Sequence, residues 1–89
     1  MVEKRMAGNY EVTTAFEIGT KEIIIGEDKT AAPDERFVVA NYENNGIFER
    51  YVDALVGGDY AEIVKIFAER VKNEAEQVID EKSKITVDM

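Results

Sequence analysis

The stretch that decides the fold runs from Tyr10 to Gly26. It begins Tyr10-Glu11-Val12-Thr13-Thr14-Ala15-Phe16-Glu17-Ile18, turns at Gly19-Thr20 and returns as Lys21-Glu22-Ile23-Ile24-Ile25-Gly26. In the outward half Tyr10, Val12, Thr14, Phe16 and Ile18 fall on one face, and Glu11, Thr13, Ala15 and Glu17 on the other. A period of two built from β-branched and aromatic residues is the mark of a half-buried strand. Gly19 supplies the positive φ that a tight turn needs. The return strand is apolar on both faces at its centre. The segment therefore predicts a β-hairpin.

Moving towards the C-terminus, Gly26–Glu35 reads as a loop. It holds the chain's one proline, Pro33, and sets Glu27, Asp28, Asp34 and Glu35 against Lys29. Arg36–Tyr42 is a third apolar, β-branched run, followed by Asn44-Asn45-Gly46. Asn-Gly is the strongest short hairpin signal. Residues 47–55 admit two readings. As a strand, Ile47–Val52 pairs back across the turn; as a helix, Ile47, Phe48, Tyr51, Val52, Leu55 and Val56 form a stripe that Gly57 ends. The turn is the more specific signal, so the strand is preferred.

Asp59 with Glu62 makes a capping-box-like helix start. Tyr60, Ile63, Val64, Phe67, Val71, Ala75, Val78 and Ile79 then recur at helical spacing, opposite Glu62, Lys65, Glu69, Lys72, Glu76 and Asp80. This predicts an amphipathic helix over 59–80, about six turns and about 33 Å long. Ser83–Asp88 reads either as a short edge strand or as a tail. Residues 1–9 read as a flexible leader. The expectation is one α+β domain over 10–89: an antiparallel sheet of four or five strands packed against one long amphipathic C-terminal helix.

The 89 residues, 45% of them hydrophobic, suffice for a single core. The absences bound the chemistry. There is no Cys, so no thiol nucleophile, disulfide or thiolate metal site, and no His, the commonest general base and transition-metal ligand. Ser-His-Asp and Cys-His machinery are thereby excluded. Gly26-Glu27-Asp28-Lys29-Thr30 resembles the end of a phosphate-binding loop, but acids precede the Lys and the glycine pattern is missing. The acid-rich loop lacks calcium-loop spacing. Carboxylate-pair catalysis needs a cleft for which one helix and a small sheet leave little volume. Tyr10, Phe16, Tyr42, Phe48, Tyr51 and Tyr60 have no basic groove beside them, as a nucleic-acid stacking platform would, and read mostly as core. No catalytic, cofactor or metal residue is assigned, and a non-enzymatic role is expected.

The formal net charge is −8, which disfavours direct binding to nucleic acid or to an anionic membrane. No apolar run approaches the roughly 20 residues of a membrane span, and Met1–Met6 lacks the apolar stretch of a secretory signal, so a cytoplasmic location is expected. Residues 10–35 carry net −5 and residues 59–80 net −3. The expected contact residues are accordingly Glu27, Asp28, Asp34 and Glu35 in the loop and Glu62, Glu69, Glu76 and Asp80 on the helix, facing a protein partner with a basic surface. Carboxylates on a small scaffold can also imitate a phosphate track, so inhibition of a nucleic-acid-binding enzyme is an alternative. A carboxylate-dependent enzyme or ligand binder is a further one; it requires a deep pocket holding a buried acid. The Lys21–Gly26 strand, if an exposed edge, would invite a homodimer through Ile23, Ile24 and Ile25.

The run Phe37-Val38-Val39-Ala40-Asn41-Tyr42-Glu43-Asn44-Asn45-Gly46, then Tyr51, then Asp59-Tyr60-Ala61-Glu62 leading to Phe67 and Arg70, resembles small uncharacterised accessory proteins of phages and conjugative elements in Gram-positive gut bacteria. The resemblance covers about the last two thirds of the chain and carries no catalytic motif. It implies an accessory module encoded by a mobile element and transfers no functional residue. In charge, size and layout the chain is also similar to some anti-CRISPR proteins, which implies inhibition by protein contact.

Overall fold

The structure, a computed structural model, describes residues 4–44, 46, 47 and 49–86, with side chains as far as Glu81. Five strands, β1 (Met6–Ala7), β2 (Tyr10–Ile18), β3 (Lys21–Glu27), β4 (Phe37–Asn44) and β5 (Glu49–Gly57), form one antiparallel sheet in chain order. The helix α1 (Tyr60–Thr86) lies on one face of that sheet. Of the two readings of 47–55 the strand holds from Glu49 on, while Ile47 lies in a bend and Phe48 outside the described residues: β5 pairs with β4 from Asn44 opposite Glu49 to Phe37 opposite Gly57. At the turn between them Gly46 takes φ 86° and donates its N–H to Asn44 Oδ1 at 2.9 Å.

The predicted hairpin is β2–β3, but β3 is not an edge. It sits at the centre, paired with β2 and β4, and the homodimer argument built on an exposed 21–26 edge loses its premise. Ile23 and Ile25 point to one face and pack with Val39 against Ile63 of α1; Ile24 points to the other, with Ala7, Val38 and Ala40. All three isoleucines are at most 2% exposed. The fifth strand is also placed differently. Met6–Ala7, from the expected leader, pairs with Tyr10–Glu11, and Ala7 is buried. Ser83–Thr86 continue the helix instead of returning as a strand; Val87 and Asp88 lie outside the described residues.

Two bulges set which side chains share a face. In β2 the register passes from Val12–Gly26 to Thr14–Ile25, so Thr13 is the extra residue. A bulge inverts side-chain parity beyond it. Tyr10 and Val12 therefore share the face of Ile24, whereas Thr14 and Phe16 lie on the helix side, opposite Ile25 and Ile23. The single face expected for Tyr10, Val12, Thr14, Phe16 and Ile18 is thus split. In β5 the shift falls between Leu55, opposite Val39, and Val52, opposite Asn41. There Asp53 adopts φ 55°, a conformation Asp tolerates better than bulkier residues. Arg70 of α1 donates from Nη2 to the Asp53 carbonyl at 2.7 Å and from Nη1 to Asn41 Oδ1 at 3.0 Å, pinning the helix over the bulge.

Asp59 caps α1 as its sequence suggests, accepting the Ala61 N–H on Oδ1 at 2.9 Å. The inward face comprises Ile63, Ile66, Phe67 and Val71; Tyr60, Val64 and Ile79, expected inside, are exposed. Val64 lies off the Ile63–Ile66–Phe67–Val71 stripe, beside the fully buried Ile63; for Ile79 the reason is length. A helix of 27 residues spans about 40 Å and a strand of nine about 30 Å. Val78 still reaches the β2–β3 turn, where a Cβ on Gly19 would lie 2.9 Å from its Cγ2, but Ile79 is 63% exposed. Lys21 Nζ to Glu74 Oε1, at 3.3 Å, ties the helix to the start of β3.

The β3–β4 loop holds a short 3-10 turn, Pro33–Glu35, packed on the chain just before α1. A Cβ at Gly58 would overlap the Pro33 carbonyl oxygen and sit 2.8 Å from the Asp34 Cα, both rigid backbone. Gly58→Ala is expected to lower stability by about 2 kcal/mol, read as a lowered urea midpoint; an unchanged midpoint would show that this close approach is not needed.

Candidate functional site

Among the described residues no α-helix lies over the sheet face away from α1, yet Ile24 there is fully buried. The sheet covers it by curling. Arg5, just ahead of β1, reaches β5 with Nε donating to the Tyr51 hydroxyl at 2.9 Å. The same guanidinium makes a two-pronged ion pair with Glu22 of β3, one prong at 3.1 Å from Nη1 to Oε2. It also stacks 4.7 Å above the Tyr42 ring, itself 5.1 Å from the Tyr51 ring. Arg5 is thereby held still more firmly in its charged form, first by the Glu22 hydrogen bond. One side chain thus spans from the first strand to the last.

Beside this clamp the curl leaves an open groove of about 400 Å³. Val38 and Ala40 of β4 line its floor, Ala7–Tyr10 one wall, and Tyr51, Ala54 and Val56 of β5 the other. Asp28, Ala31 and Glu35 form a lip. Tyr10 holds that lip in place, its hydroxyl donating to the Glu35 carbonyl at 2.6 Å. Its phenol is pushed above the ordinary 10.0, first by desolvation and then by the charges of Glu35 and Asp28. Among the described residues, the two carboxylates on the lip are the only ionisable acids or bases lining the groove, apart from its tyrosines.

The expected contact residues divide into three sets. Glu27 is taken up by Arg36, whose Nε donates to Oε2 at 2.6 Å. Asp28, Asp34, Glu35 and Glu62 are gathered at one end of the molecule, because the 3-10 turn packs beside Gly58 and the helix start. Asp59 joins them there. Asp28 Oδ1 accepts from the Thr30 N–H at 2.9 Å and the Thr30 hydroxyl at 2.6 Å, and these bonds pull its carboxyl below the ordinary range. Glu69, Glu76 and Asp80 are exposed but remote: Asp80 lies about 27 Å along the axis from Glu62. Exposed Lys65 and Lys72 interleave with them.

The groove residues Tyr10, Tyr51, Ala54 and Val56, and the clamp Arg5, were not foreseen as a site. The available signal was the small residues Ala40 and Ala54 within otherwise bulky strands. Among the described residues no polar or charged residue is buried, so the buried acid that a carboxylate enzyme would need is not among them. Likewise, among these residues no group of three or more acidic side chains is placed to hold a metal ion, and no helix is long and apolar enough to cross a membrane. No family model, curated protein or solved structure matches the chain.

Two outcomes follow from the geometry. Arg5→Met should cost about 1 kcal/mol in urea unfolding, a modest figure because the pair is partly exposed and solvent-screened; no loss would mean that the clamp does not hold the curl. The Tyr42 hydroxyl donates to Glu49, which, as the first cause, raises its pKa above 10.0, as desolvation does for Tyr10. A raised phenol pKa contributes stability that is complete below pH 10 and is lost as pH climbs through the folded values. Phenolate absorbance should therefore show late-titrating tyrosines, one of which disappears in Tyr42→Phe.

Proposed function

We propose that this protein is a non-enzymatic interaction module, encoded by a mobile element and acting in the cytoplasm, whose acidic end docks on a basic surface of a protein partner. The observation that carries this reading is the gathering of Asp28, Asp34, Glu35, Asp59 and Glu62 where the β3–β4 loop meets the start of α1. Four other acids are offset by cations: Glu22 by Arg5, Glu27 by Arg36, Glu43 by Arg50 and Glu74 by Lys21. Acids gathered at one end of a net −8 chain make a negative field there, and such a field steers association with a cationic patch.

Imitation of nucleic acid is the narrower form of this reading. A phosphate-like track along α1 is disfavoured by Lys65 and Lys72; the loop end remains open to it. Affinity capture from the source cell, repeated with the triple variant D34N/E35Q/E62Q, tests the proposal. The retained partner should carry a basic surface, release as salt rises, and bind the triple variant about tenfold more weakly. Release by duplex DNA would select the mimicry form. Retention that ignores both salt and the triple substitution would overturn the proposal.

A further inference from the structure

The groove opposite α1 is an apolar site that borders the acidic end. Its floor and walls are Val38, Ala40, Ala54 and Val56, and Asp28 and Glu35 stand on the lip. β5, which forms one wall, is the last strand of the sheet and pairs only with β4 among the described residues. An extended peptide added to such an edge makes main-chain hydrogen bonds and sends alternate side chains to one face. On β5 that face is the groove.

We infer that the groove takes an extended segment of a protein partner whose alternate side chains are apolar and whose end at the lip carries Lys or Arg. The apolar residues enter between Tyr10 and Tyr51, and the cation at the end of the segment meets Asp28 and Glu35. Charge complementarity selects this occupant: among the described residues no cation lines the groove, its lip is anionic, and Arg5 at its far end is already paired with Glu22. An acidic or strongly polar segment would lose hydration on the apolar floor and be repelled at the lip. The inference rests on the reading of the chain as a module for basic partners, and it assigns the apolar half of the contact.

The probe is a synthetic eight-residue peptide of alternating lysine and leucine, titrated into the isotopically labelled full chain and followed by amide NMR. Lysine–serine and glutamate–leucine peptides serve as comparators. The lysine–leucine peptide should shift the amides of Ala7, Ala40, Tyr51, Ala54 and Val56. Ala54→Trp, which fills the groove from an exposed position, should weaken it about tenfold while leaving the remaining amide dispersion intact. The lysine–serine peptide should perturb only the acidic end. If both basic peptides shift Asp34, Glu35 and Glu62 and leave the groove unmoved, the groove inference falls while docking through the acidic end survives. If neither basic peptide binds, both readings fail. Equal occupation by the glutamate–leucine peptide removes charge as the selector and overturns the inference. So does movement of the groove amides on raising the concentration of the chain alone, which would assign the groove to a second copy.

Discussion

Three consecutive isoleucines impose the constraint from which the rest of the structure follows. Side chains alternate direction along a strand, so Ile23, Ile24 and Ile25 can all be buried only if the sheet is covered on both faces. Each burial is worth about 2–3 kcal/mol, a large share of the net stability of a domain this small. The α1 helix covers Ile23 and Ile25 through Ile63 and its neighbours. Among the described residues there is no second α-helix for Ile24. Its cover comes from the sheet itself, bent until Ala7, Tyr10, Val12 and Tyr51 close over the concave side.

That solution is incomplete by construction. β1 has only two residues and cannot zip onto β5 to finish a barrel. Arg5 bridges the gap at one end with a guanidinium, which satisfies Glu22 and Tyr51 together and stacks on Tyr42. Tyr10 bridges towards the loop at the other end. The space between is the groove. The candidate site is thus the remainder left when a short chain buries a strand that is apolar on both faces.

The charges follow the same framework. Ion pairs of this exposure contribute little to stability. Their larger effect is on the field, because they offset Glu22, Glu27, Glu43 and Glu74 while Asp34, Glu35 and Glu62 at the loop and helix start keep their charge. The loop lies there because Gly58 lets the backbone of Pro33–Asp34 approach the start of α1. A single residue without a side chain therefore helps decide where the negative potential is concentrated, beside the open groove.

The local signals were legible in the chain: the period of two in Tyr10–Ile18, the Gly19 and Asn-Gly turns, the Asp59 cap and the helical repeat after it each depend on neighbours in sequence. So did the class of fold. Pairing decided what those signals could not. The extra residue at Thr13 reverses which side of β2 faces which layer, and it appears only as a shift against Gly26 and Ile25 of β3. Met6–Ala7 is too short to carry a period and becomes a strand because β2 offers it an edge. Of the expected contact residues, Asp28, Asp34, Glu35 and Glu62 come together through a backbone approach no spacing encodes, while Glu69, Glu76 and Asp80 are held away by the straight rise of the helix. Sequence determines the elements because propensity and periodicity are local; the groove and the acidic end belong to the tertiary structure because both are made by residues far apart in the chain.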